Sequence, residues 1–101
     1  MPDDKAQVIL RDLVGRYGPF SSSDDDRRRC RGLLRDLAGS YMLEVNLLLR
    51  ALECGAPEQL TAGRTNLRLV TPRLVRELQE THGISVENAE WAVDAWVFAL
   101  G

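Results

Sequence analysis

Residues able to do chemistry are scarce in this chain. His82 is the only histidine, and Cys30 and Cys54 are the only cysteines, in 101 residues. One histidine and two cysteines fall short of a closed structural zinc site. Without a secretion signal the two thiols read as reduced and partly buried, not as a disulfide framework. A Cys54–His82 dyad would need two residues at helix edges to meet by chance. His82, beside Gly83, reads better as a helix C-terminal side chain close to the last carbonyls. No Gly-x-Gly-x-x-Gly, no Gly-Lys-Ser/Thr phosphate loop and no Gly-x-Ser-x-Gly occurs. The expectation is a protein that is not an enzyme and uses no cofactor and no metal.

Long apolar runs are missing too. No 18-residue apolar stretch exists, and Met1 to Asp4 is acidic, unlike the basic opening of a secretion signal. The chain therefore reads as cytoplasmic, without membrane contact. A large net charge is also absent: 13 basic against 15 acidic residues leave −2, which removes the global attraction to phosphate shown by most nucleic-acid binders. An electrostatic partner must meet a local patch. Hydrophobic residues at 45% and charged ones at 28% are those of an ordinary folded domain. The length suits one domain over residues 1–101 with one modest core. An end one residue past an apolar helix reads as excision from a longer protein.

What is present is helical periodicity. Strand-like alternation is nowhere sustained, and apolar residues recur at three and four, so the expected class is all-α, a compact six-helix bundle. A first helix over about 4–17 places Ala6, Ile9, Leu10, Leu13, Val14 and Tyr17 on one face and ends at Gly18-Pro19. Ser21-Ser22-Ser23 supplies an N-cap and Asp24, Asp25 and Asp26 a negative first turn for a second helix. On it Cys30, Leu33, Leu34 and Leu37 converge on one side, and Gly39-Ser40 breaks or kinks it.

A third helix, from Tyr41 to Cys54, is apolar almost all round, as expected of the centre of a bundle. Glu44 sits alone among its apolar residues and is expected to pair with an arginine of the first or second helix. Gly55-Ala56-Pro57-Glu58 opens a short fourth helix to about Ala62. Thr71-Pro72 repeats that signature for a fifth, which stops at Gly83; Leu67, Leu69 and Val70 alternatively extend it forward. Ser85-x-x-Asn88 opens a sixth, running to about Leu100. Leu37, Leu48, Leu49, Leu52, Leu78, Val93 and Trp96 are the expected shared core.

Charge separates the second helix from the sixth. Arg28, Arg31 and Arg35 form a stripe at i, i+3, i+7, and Glu87, Glu90 and Asp94 repeat that spacing near the C-terminus, where every charged residue from Glu77 onward is acidic. The arginines read in two ways. As a solvated face, Asp24 and Asp25 pair with Arg28 and Arg29. As a binding surface, Arg28, Arg31 and Arg35 offer planar forks to carboxylates on a second copy or a relative. Nucleic acid is the weaker alternative, because the run lacks interleaved aromatics. Trp91 and Phe98, beside the acidic stripe, pack on the first or fifth helix or, if exposed, provide an aromatic anchor with a charged rim.

Leu33-Leu34-Arg35-Asp36-Leu37-Ala38-Gly39, Glu44-Val45-Asn46-Leu47-Leu48 through Ala51-Leu52, Gly55-Ala56-Pro57-Glu58-Gln59-Leu60 and Ala89-Glu90-Trp91-Ala92-Val93-Asp94-Ala95-Trp96 together resemble a bacterial death-fold adaptor, of the death-like or caspase-recruitment-like (CARD-like) kind. The resemblance covers nearly the whole chain and rests on packing patterns, not on catalytic signatures. It implies homotypic recruitment in bacterial antiphage defence, with an effector such as a protease in the same chain or operon, and it carries over no catalytic residue. The basic patch against acidic patch of such domains would be Arg28, Arg31 and Arg35 against Glu87, Glu90 and Asp94.

Overall fold

The computed structural model describes residues 2–101. Among them six α-helices and no strand are found: α1 Lys5–Tyr17, α2 Asp24–Ala38, α3 Met42–Glu53, α4 Ala56–Ala62, α5 Leu67–His82 and α6 Val86–Leu100. Most boundaries follow from local chemistry. Ser23 lies in extended backbone, and its Oγ accepts the Asp26 N–H at 3.3 Å. Ser85 does the same for the Asn88 N–H at 3.2 Å. Each thereby satisfies one amide that the first helical turn leaves without a partner.

Gly55, with φ 77° and ψ 28°, takes the left-handed conformation that carries the chain from α3 into α4, and Pro57 follows in the first turn of α4. Gly63 serves close approach instead. A Cβ there would meet Val70 Cγ2 at 2.1 Å and the Gln59 carbonyl oxygen at 3.2 Å, so only a bare backbone lets α5 lie this near the end of α4. Of the two starts open for α5, the chain takes the earlier, at Leu67, and the helix runs through Pro72. Pro72 has no N–H to give the carbonyl of Arg68. Thr71, just before it, turns its Oγ1 back to donate to the Leu67 carbonyl at 2.8 Å.

The centre of the bundle is shared by α3 and α6, each of which packs against four other helices and buries six residues. Helix α6 packs against α1, α5, α3 and α4 and buries Ala89, Ala92, Val93, Ala95, Trp96 and Ala99. Its alanines let neighbours approach on several sides, and Trp96 fills the space they leave. The Trp96 indole N–H donates to the Leu48 carbonyl at 3.1 Å inside the core, which satisfies the ring's one polar atom. Helix α3 is less enclosed than its composition suggests, because Met42 and Leu43 are exposed. The core also takes Phe20, from the α1–α2 connection.

Five of the seven expected core residues, Leu48, Leu52, Leu78, Val93 and Trp96, are buried in one cluster, and Leu49 packs at its edge. Leu37 departs from expectation and is 54% exposed. The buried residues of α2 are Cys30, Leu34 and Ala38, a row at i, i+4, i+8, with Leu33 half-buried beside it. Such a row drifts around the helix, so by the last turn the contact line has moved past Leu37. The same drift along Ala6, Leu10 and Val14 of α1 leaves Tyr17 exposed at 47%.

Glu44 also departs from expectation. It is 7% exposed, and its partner is not an arginine: Glu44 Oε2 accepts the backbone N–H of Asp3 at 2.7 Å. A backbone amide satisfies the carboxylate without bringing a second charge into the interior. The residues leading into α1 are thus tied to α3.

Candidate protein-interaction surfaces

Helix α2 holds two sets of arginines with different fates. Arg27 pairs with Asp24, and Arg29 lies 3.5 Å from Asp26. Both pairs are spaced i, i+3, and the expected i, i+4 partners Arg28 and Arg29 of Asp24 and Asp25 do not form. Asp26 is also held from the other side. Its Oδ2 accepts the Ser21 N–H at 2.8 Å and the Ser21 hydroxyl at 2.9 Å, which holds the Asp26 carboxyl below its ordinary value, with the Arg29 charge a smaller contribution. Arg28, Arg31 and Arg35 are exposed and make no ion pair among the described residues. Three guanidinium forks on one stripe therefore face solvent with their donors available.

Helix α2 packs on α3 and α1, and both of these also pack on α6. The acidic stripe on α6 is thus separated from the basic stripe by intervening helices, and among the described residues no ion pair links the two. Glu87, Glu90 and Asp94 are exposed. Glu90 and Asp94 border a groove of about 290 Å³ against Thr71, Val75, Arg76 and Gln79 of α5. Burial, and then the nearby Glu90 charge, raise the Asp94 carboxyl above its ordinary value. Arg76 lines the same groove, yet among the described residues it makes no ion pair with Glu90 or Asp94.

Trp91 and Phe98 lie on the α1 side of α6. Trp91 is half-buried, and its indole N–H donates to Asp4 Oδ1 at 3.1 Å. Phe98 is 40% exposed, with the Arg11 guanidinium 4.8 Å from its ring centre. Both aromatics are thus partly engaged by α1 and the residue before it, and of the two Phe98 offers more surface.

The thiols are placed for packing. Cys30 is fully buried, and burial first, with the Asp26 charge second, pushes it up to about 12. Cys54 is half-buried, and burial and then the Glu77 charge push it up to about 11. Neither supplies a thiolate near neutral pH. His82 faces α3 instead of its own last carbonyls, with Nε2 3.8 Å from Glu53 Oε2. Among the described residues no His, Cys, Asp and Glu side chains form a cluster that could hold a metal ion, and no helix is long and apolar enough to cross a membrane.

A second basic region escapes a reading centred on the arginine run. Arg64, Arg68, Arg73 and Arg76 lie on α5 and the turn before it, all exposed and, among the described residues, none in an ion pair. The signal is in the sequence: no acidic residue stands between Glu58 and Glu77. The role of Glu58 was equally hidden. Burial raises its carboxyl, but Glu58 Oε2 accepts both the Ser22 N–H at 3.0 Å and the Ser22 hydroxyl at 2.7 Å, and these bonds leave it below its ordinary value. They fasten the α1–α2 connection to α4. No protein-family model, curated protein or solved structure matches the chain.

Proposed function

We propose that this protein is a non-catalytic interaction module in which Arg28, Arg31 and Arg35 of one copy dock on Glu87, Glu90 and Asp94 of another copy or of a related helical domain. The observation that carries this reading is the split within α2: Arg27 and Arg29 are spent on their own helix, while Arg28, Arg31 and Arg35 stand exposed without an ion partner. With the acidic stripe on another side of the bundle, the two patches serve a head-to-tail contact that does not close on itself. Leu37, Met42 and Leu43, exposed around the α2–α3 corner beyond Arg35, add apolar area. Exposed ion pairs contribute little singly, so one contact is no tighter than roughly micromolar, and clustering of several copies makes it productive.

The resemblance to bacterial death-fold adaptors extends this reading to a biological role. The domain recruits an effector, such as a protease in the same chain or operon, in an antiphage or cell-death pathway. The test is charge reversal. Arg31→Glu with Arg35→Glu abolishes self-association in sedimentation at high protein concentration while helical content and thermal midpoint hold. A Glu90→Arg, Asp94→Arg copy then restores association when mixed with it. Association that survives the arginine reversal with the fold intact overturns the charge-pairing mechanism.

A further inference from the structure

A groove of about 410 Å³ opens where the end of α1, helix α4, the start of α5 and the end of α6 meet, away from both charged stripes. Its walls are Val14, Leu60, Leu67, Val97 and Leu100, with Arg64 and Thr61 the polar side chains in its lining. Val97 and Leu100 are only half-buried although α6 packs against four helices. This is the pattern of a small-molecule site, in which apolar walls supply contact and a few polar groups fix orientation. The volume falls within the range of about 300–1,000 Å³ typical of such sites.

The charged side chains at the groove have one sign. No acidic side chain lines it, and Arg64 is exposed with no ion partner. Arg68, with no acidic residue between Glu58 and Glu77, reinforces that sign. Helix α5 begins at Leu67, itself a wall residue, and Asn66 before it makes no side-chain cap. The N-terminal amides of α5 therefore stand at the same mouth, across from the C-terminal end of α6 at Leu100 and Gly101. An apolar body with one anionic end answers both features.

We propose that the groove binds a free single-chain carboxylate, with its acyl chain laid among Leu60, Leu67, Val97 and Leu100 and its carboxylate held by the Arg64 guanidinium. The bidentate geometry of an arginine–carboxylate pair sets the direction in which the chain enters, and the flexible tail fits an open cleft between four helices better than a rigid ring system does. This proposal stands apart from the docking of charged stripes, because none of Arg28, Arg31, Arg35, Glu87, Glu90 or Asp94 lines the groove.

The experiment is a titration of the full chain, followed by amide NMR shifts, with decanoate below its micelle-forming concentration and with decanol as the neutral probe of equal length. Decanoate binds one to one and shifts the amides of Leu60, Arg64, Leu67 and Leu100, and decanol binds about tenfold more weakly, the margin of one charge-assisted hydrogen bond. Arg64→Gln brings decanoate down to the affinity of decanol and leaves decanol unchanged. Thr61→Trp, a change at an exposed position beside the mouth, blocks both probes. The proposal is overturned if the two probes bind equally, if Arg64→Gln leaves decanoate unaffected, or if the shifts map elsewhere. It is likewise overturned if the protein ignores free decanoate while binding anionic vesicles or an acidic peptide.

Discussion

Helices α2 and α6 begin alike and end in opposite roles. Each has 15 residues, and each is opened by a serine in almost the same backbone geometry, φ −63° and ψ 155° at Ser23 against φ −62° and ψ 155° at Ser85. Yet α6 packs against four helices and buries six residues, while α2 packs against two and buries three. Capping starts a helix, and its stability then comes from what its faces meet. Four alanines and a tryptophan make α6 a helix that others close around. A charged outer face makes α2 a helix that stays at the surface, with side chains left over for a partner.

This contrast is broken most severely at Trp96. Trp96→Ala removes the largest buried side chain and the hydrogen bond to Leu48, at a cost of about 3–5 kcal/mol in chemical unfolding. Leu37→Ala on α2 changes stability by less than about 0.5 kcal/mol, as expected of an exposed position. Equal losses would show that α2 is as deeply built into the core as α6. Next comes Gly63→Ala, which strikes α6 through its supports. The added methyl collides with the stiff side chain of Val70, and the strain at the α4–α5 corner costs about 1–3 kcal/mol in thermal or chemical unfolding.

The caps sharpen the comparison by being equal. Ser23→Ala and Ser85→Ala each cost about 0.5–2 kcal/mol, and a much larger loss at Ser85 would mean that capping strength depends on the helix's place in the bundle. The smallest effect is in pH dependence, where the two helices have opposite signs. The carboxyl of Asp26 on α2 is lowered from 3.8, so its contribution to stability is complete above that value and is lost as pH falls through the folded-state value. The carboxyl of Asp94 on α6 is raised from 3.8, so its effect is loss of stability as pH rises from there through the folded-state value. In thermal melts from acid to neutral pH, Asp26→Asn flattens the acid-side decline and Asp94→Asn slightly raises the midpoint at neutral pH.

Six helices were legible in the sequence because their stops and starts are local: Ser23, Ser85, Gly55 and Gly83 each act within a turn of their own position. What misled was anything set by neighbours. A helical wheel places Leu37 with Cys30, but the packing row follows Cys30, Leu34 and Ala38. Counting large apolar residues points to α3 as the centre, and it misses that α6 shares that place through the close approach its alanines permit. Glu44 asks for a partner, and pattern alone offers only charged side chains, although the group that answers is the amide of Asp3. At the charged stripes, the sequence marks Arg28, Arg31 and Arg35 as a row but does not separate them from Arg27 and Arg29, because i, i+3 and i, i+4 partners are equally open to the aspartates until the side chains are placed, and here the pairs taken are Arg27–Asp24 and Arg29–Asp26.

Cys30 gives this chain a clock. Its thiol is wholly enclosed, and its thiolate is strongly disfavoured while the surroundings remain packed. An alkylating reagent reaches it only during those intervals when α2 has come away from the bundle. The rate of labelling at Cys30 therefore counts openings of the helix that carries the free arginines, in the unmodified protein and without an added probe. Followed in the presence of a partner, the same clock runs slower by the factor with which docking holds α2 closed.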